Sequence, residues 1–191
     1  MFSEPYKEVD PLAQSNERGN WRAFQIAFIL MSLKSTVDGF APDREAVELI
    51  WFPTGGGKTE AYLGLAAFAL FMRRLNNKED DGVHVLMRYT LRLLTAQQFQ
   101  RSSRLICAME VIRKKNQELL GDIPFSIGLW VGGSNTPNSR KDAISVLNGL
   151  KKGDRAIENK FILDRCPWCG AQIGPLDYSG KPSKNALRVI G

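Results

Sequence analysis

A glycine-rich loop between two apolar segments constrains this chain more than any other feature. Residues 52–60 read FPTGGGKTE, directly after the apolar run 46–52 and before a second apolar run at 61–75. Glycines let backbone N–H groups surround an anion, and the N-terminus of a following helix adds the positive end of its dipole. The pattern therefore predicts a phosphate-binding loop between a strand and a helix. Its candidate cofactor-binding residues are Thr54, Gly55, Gly56, Gly57, Lys58, Thr59 and Glu60.

Lys58 and Thr59 are the candidate catalytic residues of this loop. A lysine in this position reaches the β- and γ-phosphates of a nucleotide, and the hydroxyl that follows it is a ligand for Mg²⁺. We therefore expect ATP and Mg²⁺ as cofactors. The strict pattern for such loops has a glycine where this chain has Phe52. The alternative is a plain glycine-rich turn with a solvated lysine, which the strand–loop–helix context disfavours.

Two kinds of apolar segment alternate along the chain. Short continuous runs predict buried strands, and they lie at 46–52, 83–87, 125–131 and 161–163. Longer segments with helical spacing or end signals predict helices, and they lie at 20–32, 61–75, 91–120 and 139–150. Strands that alternate with helices indicate a parallel sheet. We therefore expect an α/β fold, with a parallel sheet flanked by helices.

Composition excludes several classes of protein. Hydrophobic residues at 43% and charged residues at 24% are incompatible with a wholly disordered, collagenous or membrane chain. The longest run without a charged or strongly polar residue, 61–72, is too short to span a bilayer. The acidic N-terminus also lacks the apolar part of a signal peptide. We expect a cytoplasmic protein without a membrane partner.

Positive charge is concentrated in the later part of the chain. Residues 1–60 carry 6 basic and 9 acidic side chains, whereas residues 61–191 carry 20 basic and 11 acidic ones. The segment 84–115 has one acid, Glu110, and these basic residues: Arg88, Arg92, Arg101, Arg104, Arg113, Lys114 and Lys115. Such an excess is typical of a surface that neutralises nucleic-acid phosphates and releases their counterions. A solvated helix face has the same composition, so charge alone leaves both interpretations open.

The loop and the residues before it resemble superfamily 2 helicases. PTGGGKTEA at 53–61 is similar to their motif I, which commonly begins with Pro-Thr-Gly. RAFQ at 22–25 is similar to the element that precedes that motif. The resemblance implies a partial first RecA-like ATP-binding domain and a role for Gln25 in reading the adenine edge. Without the resemblance, a glutamine on an amphipathic helix is usually just exposed.

Two later segments resemble the parts of these helicases that grip single-stranded nucleic acid. RYTLRLLTAQQ at 88–98 is similar to motif Ia, although the usual proline is missing and Leu91 is inserted. LWVGGSN at 129–135 is similar to the strand and glycine pair that follow, although it can equally be a strand-ending turn. The resemblance implies a DNA partner with a single-stranded region. Its predicted contacts are Arg88, Thr90, Arg92, Gln97, Gly132 and Gly133.

A cysteine pair near the end of the sequence resembles one half of a zinc ribbon. Cys166 and Cys169 stand in CPWCG and supply two thiolates, whereas a tetrahedral structural zinc site needs four ligands. We therefore expect a half site, with Zn²⁺ held in a full-length protein that supplies the other ligands. The alternative is a thioredoxin-like redox pair, which normally begins a helix. The nearby Gly170, Gly174 and Pro175 disfavour that helix.

The carboxylates that activate water for ATP hydrolysis have no clear equivalent. Asp164 follows the apolar run 161–163, but Arg165 stands where the helicases have a glutamate. A second motor domain does not fit in the sequence either. We therefore expect a piece of a larger motor, inactive in isolation. Its predicted parts are an irregular lead-in at 1–19, the ATP-binding domain at 20–160 and part of a zinc-ribbon insertion at 161–191.

The combination of these motifs resembles the helicase subunit of the bacterial DISARM phage-defence system. The resemblance implies an ATP-dependent DNA helicase or translocase that works with other defence subunits. Two rival hypotheses belong to other classes. One is a non-catalytic nucleic-acid-binding module with a vestigial phosphate loop. The other is a P-loop phosphotransferase, which would need an acceptor pocket and a lid arginine.

Overall fold

Five α-helices form the regular structure of the residues that the computed structural model describes. Those residues are 19–53, 55–89, 92–131, 137, 139–152, 154, 156–157, 163 and 165–170. The helices are α1 (Ala23–Val37), α2 (Lys58–Asn76), α3 (Arg92–Lys115), α4 (Gln117–Leu120) and α5 (Arg140–Lys151). All the predicted helices are therefore present, and the long one at 91–120 is divided into α3 and α4. Across these ranges, no helix is long and apolar enough to cross a bilayer.

The chain divides into two compact units. The loop unit comprises Glu8–Tyr89 and Leu105–Ser126, and it contains α1, α2 and α4. The tail unit comprises Met1–Lys7, Thr90–Arg104 and Ile127–Gly191, and it contains α5. The domain limits predicted at 20–160 and 161–191 stay a prediction.

The pairing of α1 with α2 is the main helix contact of the loop unit. Phe28 of α1 meets Tyr62 of α2 edge to face, with ring centroids 5.6 Å apart. Gly64 lets the two helices approach closely, because a Cβ at that position would lie 2.8 Å from the Trp21 ring and 3.0 Å from Ile29 Cδ1. Since α2 begins directly after the glycine-rich loop, this packing fixes α1 beside that loop.

Two buried arginines hold the turn after α4 in place. Arg74 donates to the carbonyls of Leu120 (3.3 Å) and Ile123, and its guanidinium lies 4.9 Å from the centroid of the Phe125 ring. Arg113 donates to the Gly121 carbonyl at 2.8 Å. Arg113 is 4% exposed, so it does not belong to the basic surface that charge counting suggested.

A carboxylate completes this cluster. Glu110 accepts from Arg113 Nε at 2.9 Å and from the Phe125 N–H at 2.6 Å. Burial alone would raise the pKa of Glu110, but the hydrogen bonds from Arg113 and Phe125 outweigh it and hold that pKa below its usual value. The cluster therefore keeps its charges paired inside the loop unit.

In the tail unit, α5 has the start and end that its sequence predicts. Ser139 caps the helix, since its hydroxyl accepts from the Asp142 N–H at 3.1 Å. Near the other end, Gly149 lies against Ile157, whose side chain leaves no room for a Cβ. Leu150 is fully buried there.

The predicted parallel sheet is wrong. Among the residues with described structure there is no β-strand, and 46–52, 83–87 and 125–131 have irregular structure. Most of the fourth predicted strand, 161–163, lies outside the described residues. A strand exists only where its backbone pairs with a neighbour, and an apolar run by itself supplies propensity without a partner. A RecA-like α/β fold is therefore not supported.

Candidate functional site

Two glycines of the loop before α2 have positive φ values. Gly55 and Gly57 have φ values of +82° and +89°, which residues with side chains rarely adopt. The N–H of Gly56 donates to the Pro53 carbonyl at 3.2 Å and closes a turn. At Gly57 a side chain is excluded for a second reason, because its Cβ would lie 2.7 Å from Gln25 Nε2. Thr54 lies outside the described residues.

Lys58 is the first residue of α2, and its ammonium group lies against the loop. It donates to the carbonyl of Phe52 and, at 3.2 Å, to that of Pro53. Thr59 and Glu60 follow in the first turn of the helix, where backbone N–H groups have no partner within the helix. The predicted catalytic and phosphate-binding side chains therefore begin one helix together, at its positive end.

The start of α1 holds the loop through two hydrogen bonds. Arg22 donates from its guanidinium to the Gly56 carbonyl at 2.8 Å. Gln25 donates from Nε2 to the Gly57 carbonyl at 2.7 Å, and its Oε1 accepts from the Arg22 N–H at 2.8 Å. Gln25 is 5% exposed. The proposed role of Gln25 in reading adenine stays a prediction, but its amide clearly contacts the loop.

The packing of Phe52 accounts for its presence where the strict loop pattern has a glycine. Its ring stacks on that of Phe24, with centroids 4.0 Å apart and an angle of 16° between the planes. The ring also lies beside Gly56, where a Cβ would come within 2.8 Å of it. Sequence reasoning identified the R-x-F-Q element but missed that Arg22 and Phe24 contact the loop. An aromatic residue at both 24 and 52 was the available signal.

The predicted nucleic-acid residues are only partly visible. Arg88 is exposed, Arg92 is the first residue of α3, and Gln97 is exposed on that helix. Thr90, Gly132 and Gly133 lie outside the described residues. The predicted nucleic-acid track therefore stays a prediction.

A largely apolar groove of about 580 Å³ lies between α2 and the segment 84–89. Its lining residues are Thr36, Tyr62, Leu65, Ala66, Ala69, His84, Val85, Leu86, Met87, Arg88 and Tyr89.

The His84 ring contacts an arginine. Nη1 of Arg73 lies 2.8 Å from Nδ1 of His84, and Arg73 also pairs with Asp80. Burial, with the positive charge of Arg73 as a second cause, lowers the pKa of His84. Since a guanidinium can only donate, Nδ1 accepts, and His84 is neutral.

The cysteine pair lies at the two ends of a tight turn, Cys166 to Cys169. The N–H of Cys169 lowers the pKa of the Cys166 thiol, burial opposes this, and the N–H of Trp168 and the Cys169 thiol reinforce it. Gly170, with a φ of +74°, donates to the Cys166 carbonyl at 2.9 Å and closes the turn. N–H groups directed at sulfur favour the thiolate, which is the form that binds zinc. Within the described part of the chain, no group of three or more potential metal ligands comes together.

Comparison with known proteins gives one informative similarity. The chain is 42% identical to the DISARM protein DrmA of Bacillus paralicheniformis, in an alignment that covers 88% of this chain and 16% of the relative. The chain thus spans about a sixth of the length of the curated relative that it matches. The resemblance to the DISARM protein that the motifs predicted is confirmed. No protein-family model matches the chain, and no solved structure matches it.

Proposed function

We propose that this chain is the ATP-binding segment of an ATP-dependent DNA helicase or translocase that acts in bacterial antiphage defence. The similarity to DrmA supports the defence role. The observation that carries the nucleotide role is the loop itself, where Lys58 begins a helix directly after two glycines with positive φ. Few other functions require a lysine, a helix start and a side-chain-free backbone at one place.

The loop residues have distinct tasks in this proposal. The N–H groups of residues 55 and 57–59 bind the β-phosphate, and Lys58 exchanges its two backbone carbonyls for phosphate oxygens. Thr59 holds Mg²⁺, which neutralises charge on the phosphates when it is bound. Hydrolysis needs a carboxylate and a second motor domain from elsewhere in the longer protein. The segment by itself therefore binds nucleotide without turnover.

The proposed DNA contacts come from the predicted basic segment. Arg88, Arg92 and Gln97 would touch the backbone of a single strand, with Thr90, Gly132 and Gly133 adding hydrogen bonds. Because such contacts read charge and shape, sequence preference should be slight. Cys166 and Cys169 would form half of a structural zinc site that the longer protein completes. Other defence subunits are the proposed protein partners.

Nucleotide binding by calorimetry tests the central claim. Lys58→Ala should weaken Mg²⁺–ADP binding by at least about tenfold, because one charge-assisted hydrogen bond contributes about 1.5–3 kcal/mol. Lys34→Ala is the matched control, since Lys34 is an exposed lysine on α1 of the same unit. Equal affinity for wild type and Lys58→Ala would refute the phosphate-loop role. DNA binding that ATP leaves unchanged would instead favour the non-catalytic binding module.

A further inference from the structure

Two successive carbonyl groups of the loop are bound by the start of α1. Arg22 donates a hydrogen bond to the Gly56 carbonyl at 2.8 Å, and Gln25 donates one to the Gly57 carbonyl at 2.7 Å. These bonds cross 34 and 32 residues of sequence, so they fix the loop from outside it. Neither residue belongs to the phosphate-binding motif.

Because peptide units are planar, these two hydrogen bonds also set the direction of two N–H groups in the loop. No described peptide bond is cis, so the C=O and N–H of each peptide unit point in opposite directions. The Gly56 carbonyl shares its peptide unit with the Gly57 N–H, and the Gly57 carbonyl shares its unit with the Lys58 N–H. Because α1 draws both carbonyls toward itself, both N–H groups point away from α1. An anion is attracted by N–H groups and repelled by carbonyl oxygens, so this orientation favours phosphate.

The orientation of the Gln25 amide is fixed by its neighbours. Its Oε1 faces the Arg22 N–H, which can only donate, and its Nε2 faces the Gly57 carbonyl, which can only accept. The side chain is also 5% exposed. A glutamate here would have the same shape but would place a carboxylate oxygen against the Gly57 carbonyl. Gln25→Glu is therefore an isosteric change that reverses one contact.

We propose that Arg22 and Gln25 are positioning residues that hold the loop in its anion-binding form, and that they act on the polyphosphate part of a ligand irrespective of its base. This inference rests on the proposed nucleotide role of the loop. It assigns a role to Arg22 and gives Gln25 a task that does not require contact with adenine.

The test is calorimetric binding of three Mg²⁺-complexed ligands to wild type, Arg22→Ala and Gln25→Glu. The ligands are ADP, GDP and inorganic tripolyphosphate, which has no base. Loss of one hydrogen bond predicts roughly a 3- to 10-fold weaker affinity of Arg22→Ala, to the same degree for all three ligands. Gln25→Glu should lose at least about tenfold for all three, because a repulsive contact replaces an attractive one.

Arg44→Ala is the matched control for Arg22→Ala. Arg44 is exposed, lies in the same unit and also donates its guanidinium to a backbone carbonyl, that of Ser35. The control removes the same charge and the same kind of bond away from the loop, and it should bind all three ligands as wild type does. Methylguanidinium added to Arg22→Ala should restore affinity for the ligands, because it supplies the missing donor. A purely structural defect would not respond to it.

Three outcomes separate the possible failures. If wild type binds none of the ligands, the proposed nucleotide role fails. If wild type binds the ligands and both Arg22→Ala and Gln25→Glu bind them as tightly as wild type does, the loop role stands and the positioning role is refuted. If Gln25→Glu loses affinity for ADP alone, Gln25 reads the base, and the inference is wrong. Circular dichroism melting of each variant identifies any that fails to fold, and Gln25→Ala then replaces Gln25→Glu.

Discussion

The glycine-rich loop and the apolar segments on either side of α2 differ in how well they are packed. The loop contacts the start of α1 at Phe52, at the Gly56 carbonyl and at the Gly57 carbonyl. Several apolar side chains of the segments 46–51 and 83–87 are exposed to solvent, with Val47 95% exposed and Leu86 81% exposed. A loop is complete when one neighbouring helix supplies its partners, whereas an apolar extended segment needs a backbone ladder. Local motifs therefore form where long-range ones do not.

The largest expected effect separates two glycines within the loop. Gly57→Ala places a side chain at positive φ and drives its Cβ into Gln25, whereas Gly55→Ala has the same backbone problem with no neighbour within 4 Å. The backbone term is about 1–2 kcal/mol for each. We expect Gly57→Ala to lose about 1–3 kcal/mol more from the free energy of unfolding, because overpacking adds to it. Chemical denaturation measures both variants, and equal losses would show that Gln25 does not hold the loop.

A smaller effect should distinguish two adjacent aromatic residues. Phe52 stacks on Phe24, whereas Trp51 is 89% exposed. Phe52→Ala should lower the free energy of unfolding by about 1–2 kcal/mol through lost burial and stacking. Trp51→Ala should change it by less than about 0.5 kcal/mol, as exposed positions do. Thermal melting compares the two, and an equally costly Trp51→Ala would mean that the apolar segment is packed after all.

The smallest expected effect is the pH dependence of stability that comes from His84 in the segment 83–89. Because its folded pKa lies below the usual value, the unfolded chain binds a proton first as pH falls. The contribution of His84 to the free energy of unfolding is therefore complete above its unfolded pKa, and it is lost as pH falls through its folded pKa. His84 is the single histidine of the sequence, so NMR titration of its ring gives one curve. We expect a pKa below that of a free peptide, shifted upward in Arg73→Gln. An equal pKa in wild type and Arg73→Gln would contradict the contact with Arg73.

The sequence predicted helices well and strands badly, for a physical reason. Apolar spacing and end signals located α2 and α5 to within a few residues. Helical hydrogen bonds close within four residues, so local sequence contains their cause. The strand assignments used β-propensity, which depends on a partner that the sequence does not reveal.

The candidate site divides in the same way. The glycines, Lys58 and Thr59 were recognisable because their chemistry is contained in consecutive residues. The roles of Arg22 and Phe24 were missed, because each contacts a residue roughly 30 positions later, and no local pattern identifies such a partner. The inward position of Arg113 was missed as well, since charge counting cannot separate a paired buried arginine from a solvated one.

Gly64 links the stability of the helix pair to the chemistry of the loop. It lies in the interface against Trp21, and the next residue along the chain is Arg22. A methyl group at 64 would push Trp21 outward and carry the Arg22 backbone with it, away from the Gly56 carbonyl. A substitution that touches no ligand would thus weaken ligand binding by displacement alone. Among homologous sequences, the identity of residue 64 should therefore vary together with that of residue 21, as a record of how far apart the two helices stand.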